Sequence, residues 1–174
     1  LSKLEYRGYD SAGIAVRDND SNIKIVKAKG RLKGLIEKTD AGHAVFGTCG
    51  IGHTRWATHG EPSEINAHPH TSDDGNVVKN GYSFYSSTDT EVAVKLVDYY
   101  YKKYEHTPVD AINHAMVRIR GSYALAIMFE EYPNEIYVAR KDSPMIIGVA
   151  DGNCYIASDV PAILKYTRNV YYIG

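Results

Sequence analysis

The stretch Gly47–Glu61 reads GTCGIGHTRWATHGE and holds one of the two cysteines, two histidines, an arginine and the only tryptophan. Three kinds of chemistry could use such residues. The first is a Cys–His pair, Cys49 with His53 or His59. A thiol with an ordinary pKa of ~8.5 needs a base or a positive field before it attacks anything. Residues four apart on a strand share a face but stand ~13 Å apart, so Cys49 and His53 meet only if the chain bends. Cys49 also lies in an apolar, glycine-rich run, where a cysteine is commonly a small buried hydrophobe. The second is a metal-dependent hydrolase built on His53, His59, His68 and His70. Zinc accepts three such ligands plus water, although neither His-Glu-x-x-His nor Cys-x-x-Cys is present. The third is a phosphate cradle from Gly47, Gly50 and Gly52, but no Lys-Ser/Thr follows them. Spacing alone leaves thiol chemistry, metal chemistry and a loop of hydrogen-bonding residues open.

The elements that must position these residues follow from pattern. Ser11–Val16 and Ile23–Ala28 alternate as paired strands around the turn-rich Asp18-Asn19-Asp20-Ser21-Asn22. Arg31 to Lys38 reads as a short amphipathic helix, and Phe46 to Thr54 as a glycine-rich strand leading into Arg55. A polar loop covers Thr58 to Gly75. From Thr90 the apolar residues recur at helical spacing, with Asp89 or Thr90 able to cap. Thr107-Pro108 opens a second helix. After Gly121 come strands at Tyr123–Phe129, Glu135–Arg140, Met145–Val149 and Cys154–Ala157. A short helix is expected over Asp159–Tyr166 and a last strand over Val170–Ile173. Two adjacent helices flanked by short strands predict an α+β fold with antiparallel sheets.

The bulk numbers bound the function. The chain has 174 residues, 44% of them hydrophobic, enough for one domain with a sizeable core. A net charge of −1 with scattered lysines and arginines argues against a nucleic-acid binder. No apolar run approaches the ~18 residues of a membrane span. Two distant cysteines make no disulfide framework, so a reducing, cytoplasmic setting is expected. The opening Leu1-Ser2-Lys3 has no initiator methionine and reads as the interior of a longer gene product. Fifteen tyrosines, eight of them between Tyr82 and Tyr132, have no functional account in the sequence beyond packing.

His53-Thr54-Arg55-Trp56-Ala57-Thr58-His59-Gly60 closely resembles the signature of the glutaminase domain of the glutamine–fructose-6-phosphate aminotransferases, which are class II glutamine amidotransferases. Other strings agree in order: Leu4 to Gly13, Asn66-Ala67-His68-Pro69-His70, Ser87-Thr88-Asp89-Thr90-Glu91-Val92, Gly121-Ser122-Tyr123-Ala124, Ser143-Pro144 and Ala157-Ser158-Asp159. The resemblance spans residues 1–174 as one amidotransferase domain. It implies an N-terminal-nucleophile hydrolase, an αββα sandwich of two antiparallel sheets. It implies hydrolysis of L-glutamine to glutamate and ammonia, and delivery of the ammonia to fructose 6-phosphate by a C-terminal sugar-phosphate isomerase domain, giving glucosamine 6-phosphate. No cofactor, metal, nucleic acid or membrane is implied; the full-length protein is expected to be a homo-oligomer.

The resemblance also assigns roles. Arg55 would hold the glutamine α-carboxylate and Asp89 the α-ammonium, because a guanidinium fork suits a carboxylate and an acid suits an ammonium. Thr58 and His59 would add hydrogen bonds, Trp56 would belong to a loop covering the pocket, and Arg7 would support the site or pair with Glu5 or Asp10. The nucleophile would be a cysteine at the mature N-terminus with its own amine as base; this chain begins downstream of it. Cys49 has no free amine and is not expected to replace it. The oxyanion donors, an Asn side chain and a Gly amide, are expected to be missing as well. Val78 runs straight into Lys79 where the family carries a helix of roughly four turns, so an interruption of about twenty residues is expected at 78–79. Asn80-Gly81 is accordingly read neither as a hairpin turn nor as the oxyanion pair. A non-catalytic glutamine-binding module remains an alternative.

Overall fold

A computed structural model of the chain describes residues 1–72, 77–78, 81–105 and 107–173. Strands β1 (Ser11–Arg17), β2 (Ile23–Lys29) and β3 (Cys49–Arg55) form one antiparallel sheet in the order β2-β1-β3. The β1–β2 turn closes as its residues dictate: the Asp18 carboxylate accepts from the Asp20 and Asn22 amides at 3.0 and 2.8 Å.

The two faces of this sheet do different things. Ala12 and Ala28 pair across β1 and β2 and pack with Leu32 and Leu35 of helix α1 (Leu32–Lys38). The Glu5 carboxylate accepts the Leu32 amide at 2.9 Å and satisfies one orphan donor of that helix. Alternation along β1 turns Ser11 and Gly13 to the opposite face, and β3 places Arg55 and His53 beside them in register. A Cβ on Gly13 would stand 2.2 Å from the His68 carbonyl oxygen. The loop after β3 therefore lies directly on the sheet at this point, and only glycine leaves room for it.

Helices α2 (Asp89–Lys103) and α3 (Pro108–Arg118) pack on each other and on the antiparallel pair β6 (Tyr123–Ile127) and β7 (Tyr137–Lys141). Their shared core is Val97, Tyr100, Tyr101, Ala111, Ile112, Ala115 and Phe129. Thr107 caps α3 by position and Pro108 opens it, as expected. Thr88, one residue earlier than expected, is the residue that precedes α2.

Strands β8 (Ile146–Ala150), β9 (Asn153–Ala157) and β10 (Val170–Tyr172) form a further sheet in the order β10-β8-β9. Every strand-to-strand ladder among the described residues is antiparallel, which bears out the α+β expectation. Hydrogen bonding sorts the described strands into four such groups.

One local expectation needs correction. Asp159–Tyr166 is not a continuous α-helix: only Val160–Ala162 winds, as a 3-10 turn, with i→i+3 bonds such as Ile163 to Val160 beside isolated i→i+4 bonds such as Leu164 to Val160. Residues Val77–Val78 (β4) pair antiparallel with Gly81–Tyr82 (β5), Val77 with Tyr82 and Val78 with Gly81. Gly81 is thus a paired strand residue. Lys79 and Asn80, and with them the expected interruption, lie outside the described residues. No helix among the described residues is long and apolar enough to cross a membrane.

Candidate functional site

One cavity of about 190 Å³ gathers the residues singled out in the sequence. His53 and Arg55 reach it from the end of β3, Trp56, Thr58 and His59 from the turn that follows, His68 from the loop lying on β1, and Thr88 and Asp89 from the start of α2. Arg55 and Asp89, 34 positions apart in the chain, thus face one space.

Arg55 is 4% exposed. Its guanidinium donates to the carbonyls of Glu61 (3.4 Å), Gly60 (3.1 Å) and His59, and lies 3.8 Å from an Asp10 carboxylate oxygen. The same Asp10 accepts the Ala57 amide and the Ser11 hydroxyl. Arg55 is therefore both a buried cation in the cavity wall and the strut that folds residues 59–61 around it. A buried cation with one carboxylate nearby and otherwise neutral carbonyl acceptors still favours an anion. Asp89 is exposed at the first turn of α2, where the helix dipole favours a negative charge. Trp56 is 55% exposed at the rim, with its ring edge-on to Tyr9 at 4.9 Å. Thr58 and His59 are exposed and touch each other at 3.4 Å.

The histidines form a stack, not a ligand set. His53 lies on His68 with centroids 4.4 Å apart, and His68 meets His70 at 4.8 Å. Both ring nitrogens of His70 have partners: Tyr85 hydroxyl at 3.0 Å and Thr88 hydroxyl at 2.9 Å. Burial, then neighbouring imidazoles and the cations Arg55 and Lys27, push His68 down to about 2. Burial and Lys27 push His70 down to about 4 despite Glu91 nearby. His53 shifts the same way, first by desolvation and then by Arg55, though it keeps an accessible edge. Three neutral imidazoles beside Arg55 avoid repelling it. No group of three or more His, Cys, Asp or Glu among the described residues is arranged to hold a metal ion: His53, His68 and His70 stack ring on ring, and His59 lies against Thr58.

The base of α2 is also anchored by charge. Glu91 is fully buried, 3.3 Å from Lys95, and accepts the Tyr85 amide at 2.8 Å, the Ser86 amide at 2.6 Å and the Ser86 hydroxyl. Burial pulls its pKa up, but these donors and Lys95 together hold it below the usual carboxylate value.

Arg7 behaves otherwise than expected. Arg7 does not pair with Glu5 or Asp10 and does not line the cavity; it donates to the Ser158 hydroxyl at 3.3 Å and lies 3.9 Å from Asp159, which also accepts from Tyr6 at 2.6 Å. It ties the 3-10 turn Ser2–Arg7 to the segment after β9, since its sequence-near acids are already engaged. Cys49 is opposite Arg17 at the far end of β3 from Arg55 and does not line the cavity, as expected of a non-nucleophile. Gly50 and Gly52 are paired in the same strand, which removes the phosphate cradle.

Sequence reasoning missed Asn66. It is 4% exposed and bridges the loop around Arg55 to the residue before Thr88. Its signal was its place in the quoted Asn66–His70 string, with no chemistry attached.

A family model for the glutamine amidotransferase domain matches residues 69–165. Over 99% of its length the chain is 49% identical to glutamine–fructose-6-phosphate aminotransferase [isomerizing] from Caldanaerobacter subterraneus subsp. tengcongensis and to the protein of that name from Clostridium acetobutylicum, covering 31% of each. The corresponding protein of Pyrococcus horikoshii is 42% identical over 99% of the chain, again covering 31% of its own length. The chain spans about a third of the length of these relatives. The first alignment runs over 191 positions against 174 residues, leaving at least 17 with no counterpart here. A match over more than half the chain, in the region that includes Asp89 and the helix pair, settles the family: this chain belongs to the glutamine amidotransferases.

Proposed function

We propose that this domain hydrolyses L-glutamine and, within a complete glutamine–fructose-6-phosphate aminotransferase, supplies ammonia to a C-terminal sugar-phosphate isomerase domain that makes glucosamine 6-phosphate. The observation that carries the reading is that Arg55 and Asp89 line the same cavity. Free glutamine has an α-carboxylate and an α-ammonium a fixed distance apart, and one cation facing one anion selects for that pair. To take the carboxylate, Arg55 turns one edge of its fork to the ligand while the other keeps the 59–61 carbonyls. Thr58 and His59 hydrogen-bond the amino-acid end, and Trp56 covers it. Arg7 supports the N-terminal segment from outside the cavity.

The cavity has no thiol among its lining residues. In this reading a cysteine at the mature N-terminus attacks the glutamine side-chain carbonyl carbon. Its α-amine, titrating near ~7.7–8.0, takes the thiol proton and passes it to the leaving nitrogen, so that ammonia departs and a thioester forms. Water then attacks the thioester, releasing glutamate and regenerating the thiol. An Asn side chain and a Gly amide, both expected to be missing from this chain, stabilise the oxyanion in the complete protein. The αββα sandwich, a cytoplasmic location and a homo-oligomeric full-length protein belong to the same proposal. The number of aligned positions without a counterpart is of the size proposed for an interruption at 78–79.

Calorimetric titration of the complete polypeptide tests the recognition step. L-glutamine should bind; glutaramic acid, which lacks the ammonium, and glutaminamide, which lacks the carboxylate, should each bind at least about tenfold more weakly. Equal binding of all three ends the reading. Binding without release of glutamate would mark a non-catalytic glutamine-binding module.

A further inference from the structure

The two charged walls of the cavity come from separate parts of the chain, and one buried amide joins them. The Nδ2 of Asn66 donates to the Glu61 carbonyl at 2.9 Å, the same carbonyl that accepts from Arg55 at 3.4 Å. The Oδ1 of Asn66 accepts the Ser87 amide at 2.8 Å, two residues before Asp89. The Asn66 amide is itself held by the Ser63 hydroxyl at 3.2 Å. The orientation of the side-chain amide is fixed by its partners, since a carbonyl only accepts and an N–H only donates. Gly60 lies against this bridge: its φ is +74°, and a Cβ there would stand 2.9 Å from Asn66 Nδ2 and 3.0 Å from the Ser87 carbonyl. The Arg55 loop and the start of α2 are thus clamped as closely as the backbone permits.

We propose that Asn66 is a positioning residue that sets the separation between Arg55 and Asp89, and so makes the cavity specific for an amino acid whose two charged groups are one carbon apart. The inference rests on the glutamine-binding reading above. Asn66 touches no part of the ligand; it acts through Glu61 and Ser87. Its loss should therefore weaken glutamine binding while leaving the later chemical steps nearly intact, and it should matter only while both charges are present.

The test is a double-mutant cycle in the complete enzyme, scored by glutamate release. Asn66→Asp keeps the acceptor for Ser87 but turns an oxygen toward the Glu61 carbonyl, and Gly60→Ala pushes on the same bridge without removing a polar group. Each should raise KM for glutamine about tenfold or more while kcat changes by less than about threefold. In an Asp89→Asn background the same substitutions should add less than about twofold, because the separation no longer has a second charge to serve. Independent, multiplicative effects in the two backgrounds, or a fall in kcat with KM unchanged, overturn the proposal. Should Asp89→Asn alone leave KM unchanged, the glutamine pocket itself fails; should it raise KM while Asn66→Asp and Gly60→Ala do not, only the role of Asn66 fails. If Asn66→Asp does not fold, Gly60→Ala decides the matter alone.

Discussion

The two ends of α2 are embedded in unlike surroundings. Its first turn belongs to a region held by polar atoms: Glu91 with Lys95 and the 85–86 amides, Thr88 with His70, and Asn66 with Ser87. Its last turns belong to an aromatic core, where Tyr100 and Tyr101 pack with Ile112, Ala115 and Phe129. Tyr101 meets the Phe129 ring at 4.8 Å, and Phe129 meets Tyr137 at 5.3 Å. Apolar burial is strong but non-directional. Hydrogen bonds contribute little net stability each and are demanding in geometry. The helix is therefore seated by one end and aimed by the other.

That contrast predicts separable effects. The largest should come from Phe129→Ala, which empties the aromatic core. Stability should fall by about 3–5 kcal/mol in denaturant unfolding, with KM for glutamine unchanged in whatever fraction stays folded. A shifted KM would show that the two regions are not independent. Next, Arg55→Lys in the complete protein should raise KM about a hundredfold, near 3 kcal/mol, because a point charge replaces a buried fork and leaves carbonyls unpaired. An unchanged KM would remove Arg55 from recognition.

Acid should act on the polar region first. His68 and His70 have folded pKa values below the unfolded 6.5, so the unfolded chain binds protons that the folded one refuses. Their contribution is complete above pH 6.5 and declines as pH falls, down to about 4 for His70 and about 2 for His68. Each can cost up to about 1.4 kcal/mol per pH unit in that window. Glu91, with its depressed pKa, adds its own loss only as pH falls below the unfolded carboxylate value of 4.5. Unfolding midpoints at pH 7.5 and 5.5 should differ, and His70→Gln should reduce the difference; identical midpoints would mean the histidines are not held neutral.

Smaller effects refine the contrast. Asp89→Asn should raise KM about tenfold with only a small change in melting temperature, since its carboxylate is exposed and supports no buried partner among the described residues. Cys49→Ser should leave glutamate release unaltered, and a loss of activity would reopen the thiol reading.

The two regions also differ in how far they could be read from sequence. The β1–β2 hairpin was legible because alternation and Asp18 act within a few residues, and Thr107-Pro108 announced α3 for the same reason. Arg55 and Asp89 were legible through the strings that contain them, not through any local pattern. The Asn66 bridge and the Arg7–Asp159 pair were not, because each joins segments 21 and 152 positions apart and polar side chains carry no periodicity to reveal a distant partner. Of the tyrosines, Tyr100 and Tyr101 enter the core under α2 and α3 and Tyr104, Tyr132 and Tyr137 pack against it, while others such as Tyr6, Tyr171 and Tyr172 are exposed, a division that a count alone could not place.

The absent side chain at Gly13 has a consequence for evolution and engineering of this cavity. Since the His68 carbonyl rests where a methyl group would be, the loop that supplies one cavity wall sits directly on the sheet. Swapping in a larger residue there would not fill a hole but lift the His68 loop, displacing that wall for every substrate at once. Attempts to retune it toward shorter or longer amides should therefore start from the rim and leave that missing methyl alone.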